Sequence, residues 1–551
     1  MRRFDVIVIG GGFAGLTLTR HLLLTRPGLA VAVCDPQQLP CPRERRSVGE
    51  STVEVASWYL GTRLGLRDHL ESEHIPKFGL RWWLGGDARD ITTRLEMGPH
   101  DPAPGAEHET PPLEPRTYQM HRGRLEHHLA NLCAAAGATL LDNSRVLAWT
   151  ADTVDLERAG HRETLQARWV VDATGFARAD LGQAMPLINV PHTLSVLWGW
   201  VDERIDPTLW SDAPPFSARI RSPRWSSTQH FLGRGYWSWI IPLADGSSSL
   251  GFVLDRSIHP GHDDPASLHD FWRAHEPQQF ARGAHRLAPH NFRVVQASYR
   301  PQFIQPGRAV TGASLGFFDP FYSSGHDITT IAHELLVPHI LADLDGHPED
   351  PRLANELLAG VMRQFESTYV DSYALFADPT VAAVKFAWDQ LVYFGWLAAM
   401  LRGGKLGDRE WMLAMRPWSD RVYRLNVRVQ ALVRAWAARR RNTGVPVRSV
   451  IDQAQIAAVH GRFLELRNHD DLATRLQQAV AQFESFALAI LERACDDLGL
   501  ALPDEPLDPY GLVLDPDRWA MDGLFNRRRG RHADPAERRD LAYLTSPQRP
   551  A

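Results

Sequence analysis

Residues 4–9 (FDVIVI) form an unbroken apolar, β-branched run, the pattern of a strand buried on both faces of a parallel sheet. Gly10, Gly12 and Gly15 follow at once as GxGxxG in GGGFAG, and the next stretch, LTLTRHLLL, has helical character. A second apolar run over residues 29–34 ends in Asp35, 20 residues past Gly15. Glycines in this turn, with Phe13 and Ala14 between them, let the backbone approach a pyrophosphate, whose charge the helix N-terminus stabilises. Asp35 suits the ribose hydroxyls of an adenosine and disfavours a 2′-phosphate. Strand, glycine turn, helix and acid in register predict an α/β, Rossmann-like fold that takes FAD or NAD rather than NADP.

The rest of the composition narrows the class. With 44% hydrophobic and 23% charged residues the chain is ordinary globular protein. A net charge of −5 gives no support to a nucleic-acid partner. The four cysteines, Cys34, Cys41, Cys133 and Cys495, form no CxxC pair, so a reducing, cytoplasmic setting is expected. The opening MRRFDVIVIGGG starts like a signal peptide but runs into glycines with no cleavage site after it. No apolar stretch approaches the roughly 20 residues of a membrane span, so a soluble chain with no membrane partner is expected. The 18 tryptophans stand out.

Further segments separate FAD from NAD. Arg46, Ser47, Val48, Gly49, Glu50 and Ser51 follow the second strand. Arg122 opens a helical pattern in HRGRLEHHL, and the strand-like run 167–171 breaks at Asp172, Ala173, Thr174 and Gly175. TGASLGFFDPFYSSGHD follows the strand-like RAV near residue 312. Over residues 4–335 this series resembles the FAD skeleton of the hydroxylase-type flavoproteins related to para-hydroxybenzoate hydroxylase. The resemblance implies that Gly10, Gly12, Phe13, Ala14, Gly15, Asp35, Ser47, Glu50, Arg122, Asp172, Gly312 and Ala313 contact FAD. That family usually has Gly-Asp where this chain has Gly312-Ala313. The carboxylate contact to the flavin ribityl chain is therefore absent, or supplied in part by Asp319, Ser314 or His326.

Trp237-Ser238-Trp239-Ile240-Ile241-Pro242 reads WxWxIP; alternation puts both tryptophans on one strand face. Within an FAD chain this pattern resembles the signature of flavin-dependent halogenases. The chain has very few lysines, and Lys77, in KFGLRWW, resembles the lysine segment of the phenol and pyrrole halogenases, with VGEST over 48–52 upstream as in that family. Arg81 is the alternative occupant of the lysine position, but arginine stays protonated and is a poor nucleophile. The resemblance implies a halogenase fed with FADH2 by a separate flavin reductase, since only one dinucleotide fingerprint is present. Reduced flavin and O2 give a flavin hydroperoxide, chloride or bromide becomes hypohalous acid, and Lys77 hydrogen-bonds that acid or forms a haloamine. It further implies a wall of Trp237, Trp239, Trp82 and Trp83 between flavin and lysine, and halide binding by the backbone at Ser324 and Gly325. Tyr322 stands where tryptophan halogenases carry a glutamate. An electron-rich aromatic (phenol, pyrrole or indole, free or tethered to a carrier protein) thus fits better than free tryptophan. The alternatives are an FAD monooxygenase on the same scaffold and a catalytically idle flavin-binding protein.

Between 181 and 310 short strand-like runs (LSVLWGWV, ARIRS, HFLGRG, YWSWIIPL, LGFVL) predict an antiparallel substrate sheet inserted into the FAD fold. His259 and His262 lie in a Pro/Gly/Asp cluster that reads as a turn; no metal site is expected. From about 330 apolar residues recur at helical spacing. We therefore expect an FAD-binding fold over residues 1–335 and a helical C-terminal extension over 336–551. A helix stop is read at Asn442 to Gly444, and a charged, flexible tail after 525.

Overall fold

The computed structural model describes all residues except 87, 100–115, 178–184, 221, 281–290, 407, 442–448, 453–470, 519–529 and 546–551. The helix stop read at 442–444, the N-terminal edge of the inserted sheet and the start of the charged tail lie outside the described residues.

The nucleotide half is built on the strand Arg3–Ile9, which runs parallel to Val31–Cys34 on one side and to His161–Asp172 on the other. Thr139–Leu141 and Arg308–Val310 extend this sheet in parallel. Val6, Ile7 and Val8 are fully buried, because helices and a β-meander cover both faces. The helix Phe13–Thr25 begins directly after the glycine turn.

A second sheet has nine strands, in the order Gly316–Phe317, Asn291–Tyr299, Ile188–Val201, Ser248–Asp255, Tyr236–Pro242, Thr228–Gly233, Leu80–Leu84, Leu95–Gly98 and Val450–Asp452. Its middle is antiparallel. It differs in extent from the 181–310 reading. Leu80–Leu84 joins it in parallel beside Thr228–Gly233, and Val450–Asp452 pairs in parallel with Leu95–Gly98. Arg308–Val310 instead belongs to the nucleotide sheet. The described residues of the ARIRS run form no strand: Ala218 and Arg219 lie in a turn after the short helix Pro214–Ser217.

The two faces of this sheet pack differently. Trp82, Trp237 and Trp239 join the main core, facing the helical half. Trp83 points the other way, into a separate cluster under the helix Pro265–His275, where it stacks on Phe231 at 6.0 Å and donates to Gln229 at 3.0 Å. Strand alternation forces this: neighbours Trp82 and Trp83 cannot share a face. Trp83 is therefore removed from the expected flavin-to-lysine wall.

The helix Gly325–Leu344 packs on Phe13–Thr25 and so spans the expected boundary at 335. The helices Arg352–Tyr369, Pro379–Val392, Arg409–Arg439 and Leu472–Leu498 follow, ending in a left-handed Gly499 at φ 67°. Asn355 clamps strand residue Ile304 through its N–H at 3.0 Å and its carbonyl at 2.9 Å, tying the helices to the nucleotide sheet. Within the charged tail, Pro535–Thr545 is a helix with Leu541 and Leu544 buried, so this part is not a free tail. Among the described residues no helix is long and apolar enough to cross a membrane, and the four cysteines are buried free thiols.

Candidate active site

The glycine turn is shaped for a ligand. Gly10 sits at φ 113°, and a Cβ there would lie 2.5 Å from the Ala173 carbonyl oxygen. A Cβ on Gly15 would lie 1.9 Å from the Gly10 oxygen. These two glycines pack strand, turn and helix together. A Cβ on Gly12, by contrast, meets no heavy atom within 4 Å, and no side chain caps the helix that starts there. Free N–H groups facing open space fit a pyrophosphate, so the residues present fit FAD. Asp35 already accepts from Gly11 N at 2.7 Å and Gln37 N at 2.8 Å, leaving its remaining lone pairs for ribose hydroxyls.

Three further segments meet at this turn. Arg122 donates to Val48 O at 2.9 Å and lies over the Phe13 ring at 5.2 Å. Burial lowers its pKa to about 10. His326 bonds Gly49 O through Nε2 at 3.0 Å and meets Phe13 edge-on at 4.1 Å. Ser47 is half-buried on the same loop. Glu50 is buried and turns toward the second sheet, accepting from Trp200 Nε1 at 2.9 Å and from Ser249. Burial raises its pKa to about 7. Ser249 in turn accepts from Trp239 Nε1 at 3.2 Å, so Glu50 connects the loop to the WxWxIP strand.

Asp172 ends its strand fully buried. Its Oδ1 accepts from Thr174 N at 2.8 Å and Ser314 Oγ at 3.2 Å, while Oδ2 has no partner. Gly312, at φ 65°, packs over Ala14, and a Cβ there would lie 2.7 Å from Ala14 Cβ. Ala313 is half-buried beside it. Of the three stand-ins for the missing carboxylate, Ser314 is held by Asp172 and Gly175 O, the latter at 3.0 Å. Asp319 is paired with His192 at 2.8 Å and accepts from Phe321 N at 2.8 Å. Only His326 keeps an unpartnered atom, its buried Nδ1.

Lys77 is not a surface cation. It lies on the strand Ile75–Lys77, is buried, and donates to Ser51 Oγ at 3.1 Å and to Thr52 O. Burial lowers its pKa to about 8, against the opposing pull of Glu54 and Asp327. The chain has only three lysines, Lys77, Lys385 and Lys405, against 57 arginines, which makes a buried lysine here conspicuous. Arg81, the rival for the lysine position, points to the opposite face. It is fully buried against Glu96 at 2.8 Å, with Arg224 holding the same carboxylate at 2.9 Å. This carboxylate holds it as a structural cation.

Trp237 and Trp239 lie 5.6 Å apart, centroid to centroid. Trp237 packs on Phe321 at 5.2 Å and on His230 at 5.2 Å, and donates to Tyr373 Oη at 2.5 Å. The Pro320 turn that carries Phe321, Ser324 and Gly325 thus abuts the aromatic wall.

Two further buried residues belong to this cluster, Asp327 and His230. Asp327, fully buried, accepts from Ala56 N at 2.9 Å and Tyr393 Oη at 2.9 Å, and burial raises its pKa to about 8. His230 is buried with Nδ1 unpartnered, and desolvation lowers its pKa to about 3. Its place on the strand Thr228–Gly233, beside a Thr228 hydroxyl 3.1 Å from Ser51 Oγ, depends on a pairing with residues 80–83 that no local pattern reveals. His259 and His262 bond Arg234 O and Ser267 Oγ, both at 2.7 Å. Among the described residues no metal-ligand cluster exists.

Residues 5–221 match the family described as FAD dependent oxidoreductase. The flavin-dependent halogenase chlA of Dictyostelium discoideum is 27% identical over 391 residues, covering 64% of this chain and 62% of that protein. The 1H-pyrrole-2-carbonyl-[peptidyl-carrier protein] chlorinase of Pseudomonas fluorescens is 23% identical over 350 residues, 58% of this chain and 72% of that protein. In fold, the chain is similar to the myxobacterial chondrochloren halogenase CndH, with TM-score 0.52, 21% identity, and 69% and 83% of the two chains covered. It is also similar to halogenase PltM in complex with phloroglucinol and FAD, with TM-score 0.60, 16% identity, and 90% and 100% covered. Residues 5–221 thus carry an FAD dependent oxidoreductase segment, and the chain is similar in sequence and in fold to flavin-dependent halogenases.

Proposed function

We propose that this enzyme uses FADH2, O2 and chloride or bromide to halogenate an electron-rich aromatic. The observation that carries this reading is Lys77: a buried amine with neutral acceptors, Ser51 Oγ and Thr52 O, and a pKa of about 8. Bound reduced FAD, with O2, supplies the oxidising equivalents that turn a halide into hypohalous acid. The N–H groups of Ser324 and Gly325, at the uncapped start of a 20-residue helix, hold the halide. Trp237, Trp239 and Phe321 form a barrier that passes a small acid and excludes an aromatic substrate from the flavin side. Lys77, partly neutral near pH 8, hydrogen-bonds the acid or takes its halogen and presents it to the substrate ring.

Two relatives guide the substrate class. One acts on a pyrrole carried by a peptidyl-carrier protein, and one solved structure holds phloroglucinol. A phenol or pyrrole, free or carrier-tethered, is proposed here, with a separate flavin reductase as partner. The competing reading is an oxygen-inserting FAD monooxygenase on the same scaffold. Incubation with reduced flavin, bromide and a panel of phenols, pyrroles and indoles, read by mass spectrometry, decides between them. Bromide-dependent mass gain supports halogenation; oxygen insertion that ignores bromide replaces it with the monooxygenase.

A further inference from the structure

The turn at residues 320–325 combines a strained residue with a helix start that its own side chains leave open. Ser323 sits at φ 59°, in the left-handed region disfavoured for L-residues. No N-cap side chain bonds the first N–H groups of Gly325–Leu344. Asp327, in the first helical turn, aims its carboxylate away, at Ala56 N and Tyr393. A Cβ on Gly325 would meet no heavy atom within 4 Å, and His326 Nδ1, on a side chain more than nine-tenths buried, has no partner. The helix start therefore leaves its backbone donors uncapped, and the neighbouring His326 keeps an orphaned ring nitrogen.

The helical half grips this turn from three helices. Tyr322 Oη donates to Asp389 Oδ2 at 2.6 Å. The same oxygen pairs with Lys385 Nζ at 2.5 Å, and Gln430 Nε2 donates to Asp389 Oδ1 at 2.6 Å. Lys385 also donates to Thr368 O at 3.1 Å. Ser324 Oγ is 2.8 Å from Tyr369 Oη. Lys385 and Tyr369 are fully enclosed, and neither is used by the chemistry described above. Unlike Lys77, Lys385 is locked by a carboxylate and serves as a fixed charge.

We propose that Tyr369, Lys385 and Asp389 are positioning residues that hold residues 322–324 in the open, left-handed form in which the Ser324 and Gly325 N–H groups face a halide. This rests on the reading of that turn as the halide site. Released from the clamp, Ser323 relaxes toward an ordinary backbone conformation and carries Ser324 out of register. Glycine bears no such penalty at positive φ, so Ser323→Gly makes the clamp dispensable.

The test measures chloride binding to the FAD-loaded chain by 35Cl NMR line width, with bromide as competitor. Asp389→Asn and Tyr369→Phe should each weaken chloride binding, by about tenfold for the former, the scale of one left-handed residue's cost. Halide KM should rise in step while kcat at saturating halide stays nearly constant. Adding Ser323→Gly to either variant should restore chloride affinity, which repair of a general folding defect would not do. Tyr369→Phe removes a single oxygen and guards against loss of fold. Unchanged chloride affinity in both single variants, or losses that Ser323→Gly fails to repair, overturns the clamp while leaving the halide site intact. A parent chain that broadens no chloride signal overturns the halide site and the clamp together.

Discussion

Lys77→Met should make the protein more stable at neutral pH while removing its chemistry. Burial holds the amine at about 8 against its ordinary 10.5. At about 1.4 kcal/mol per pKa unit, keeping it protonated in the folded chain costs about 3 kcal/mol. Between those two values the unfolded chain still binds the proton that the folded chain has released, so stability rises with pH there. The penalty is complete below pH 8 and is gone above 10.5. Methionine removes it but leaves Thr52 O without its donor, a loss of about 1 kcal/mol. Ser51 Oγ keeps Thr228. The net gain is about 2 kcal/mol at pH 6.5. With an unfolding entropy of roughly 2 cal/mol/K per residue across the chain, that is a rise of about 2 °C in Tm. Paired thermal melts of parent and variant at pH 6.5 and pH 10 read the difference, since other titrating groups cancel between them. The advantage should shrink to nothing or reverse at the higher pH. A variant that melts below its parent at pH 6.5, or a difference that ignores pH, would show that the ammonium is solvated or paired and refute the reasoning.

Lys77→Ala should abolish halogenated product while leaving FAD loading and hydrogen-peroxide release intact; product formation surviving that change removes Lys77 from the chemistry. Gly12→Val should leave a folded chain that binds no FAD, because its Cβ projects into open space, whereas Gly15→Ala should fail to fold, its Cβ lying 1.9 Å from the Gly10 oxygen; flavin absorbance and melting of the two variants separate these roles. Glu96→Gln, which strips the buried carboxylate from between Arg81 and Arg224, should cost about 3–5 kcal/mol in chemical denaturation, and a loss under about 1 kcal/mol would mean that the two guanidinium groups find other acceptors.

The nucleotide cradle was legible because its signals are local. Gly10, Gly12 and Gly15 lie within six residues, and each does a job that a single turn defines. Asp35 follows from the length of one helix and one strand. The lysine segment was read as a resemblance, and the fold buries Lys77. The second sheet was legible in its consecutive hairpins and illegible where partners are distant. Thr228–Gly233 beside Leu80–Leu84 is a pairing across nearly 150 residues, and it determines that Trp83 faces away from the wall while Trp82 faces it. Asp327 is visible in the sequence only as a carboxylate two residues after Gly325. Its role depends on Ala56 and Tyr393, which the chain brings in from both directions.

The distribution of cations explains why so much rests on one amine. Several fixed positive charges in the interior are arginines: Arg81 and Arg224 on Glu96, and Arg122 over Phe13. An arginine keeps its proton under almost any burial. A lysine in the same surroundings gives its proton up unless a carboxylate holds it there. The two buried lysines divide along this line. Burial pulls the Lys385 pKa down as well, but Asp389 against its ammonium opposes that pull. Lys77 has only a hydroxyl and a carbonyl, with its nearest carboxylic acids, Glu54 and Asp327, themselves shifted upward by burial. A group placed like that is a poor anchor and a good nucleophile, and exchanging the two environments, by a carboxylate beside Lys77 or by Asp389→Leu, should exchange the two behaviours.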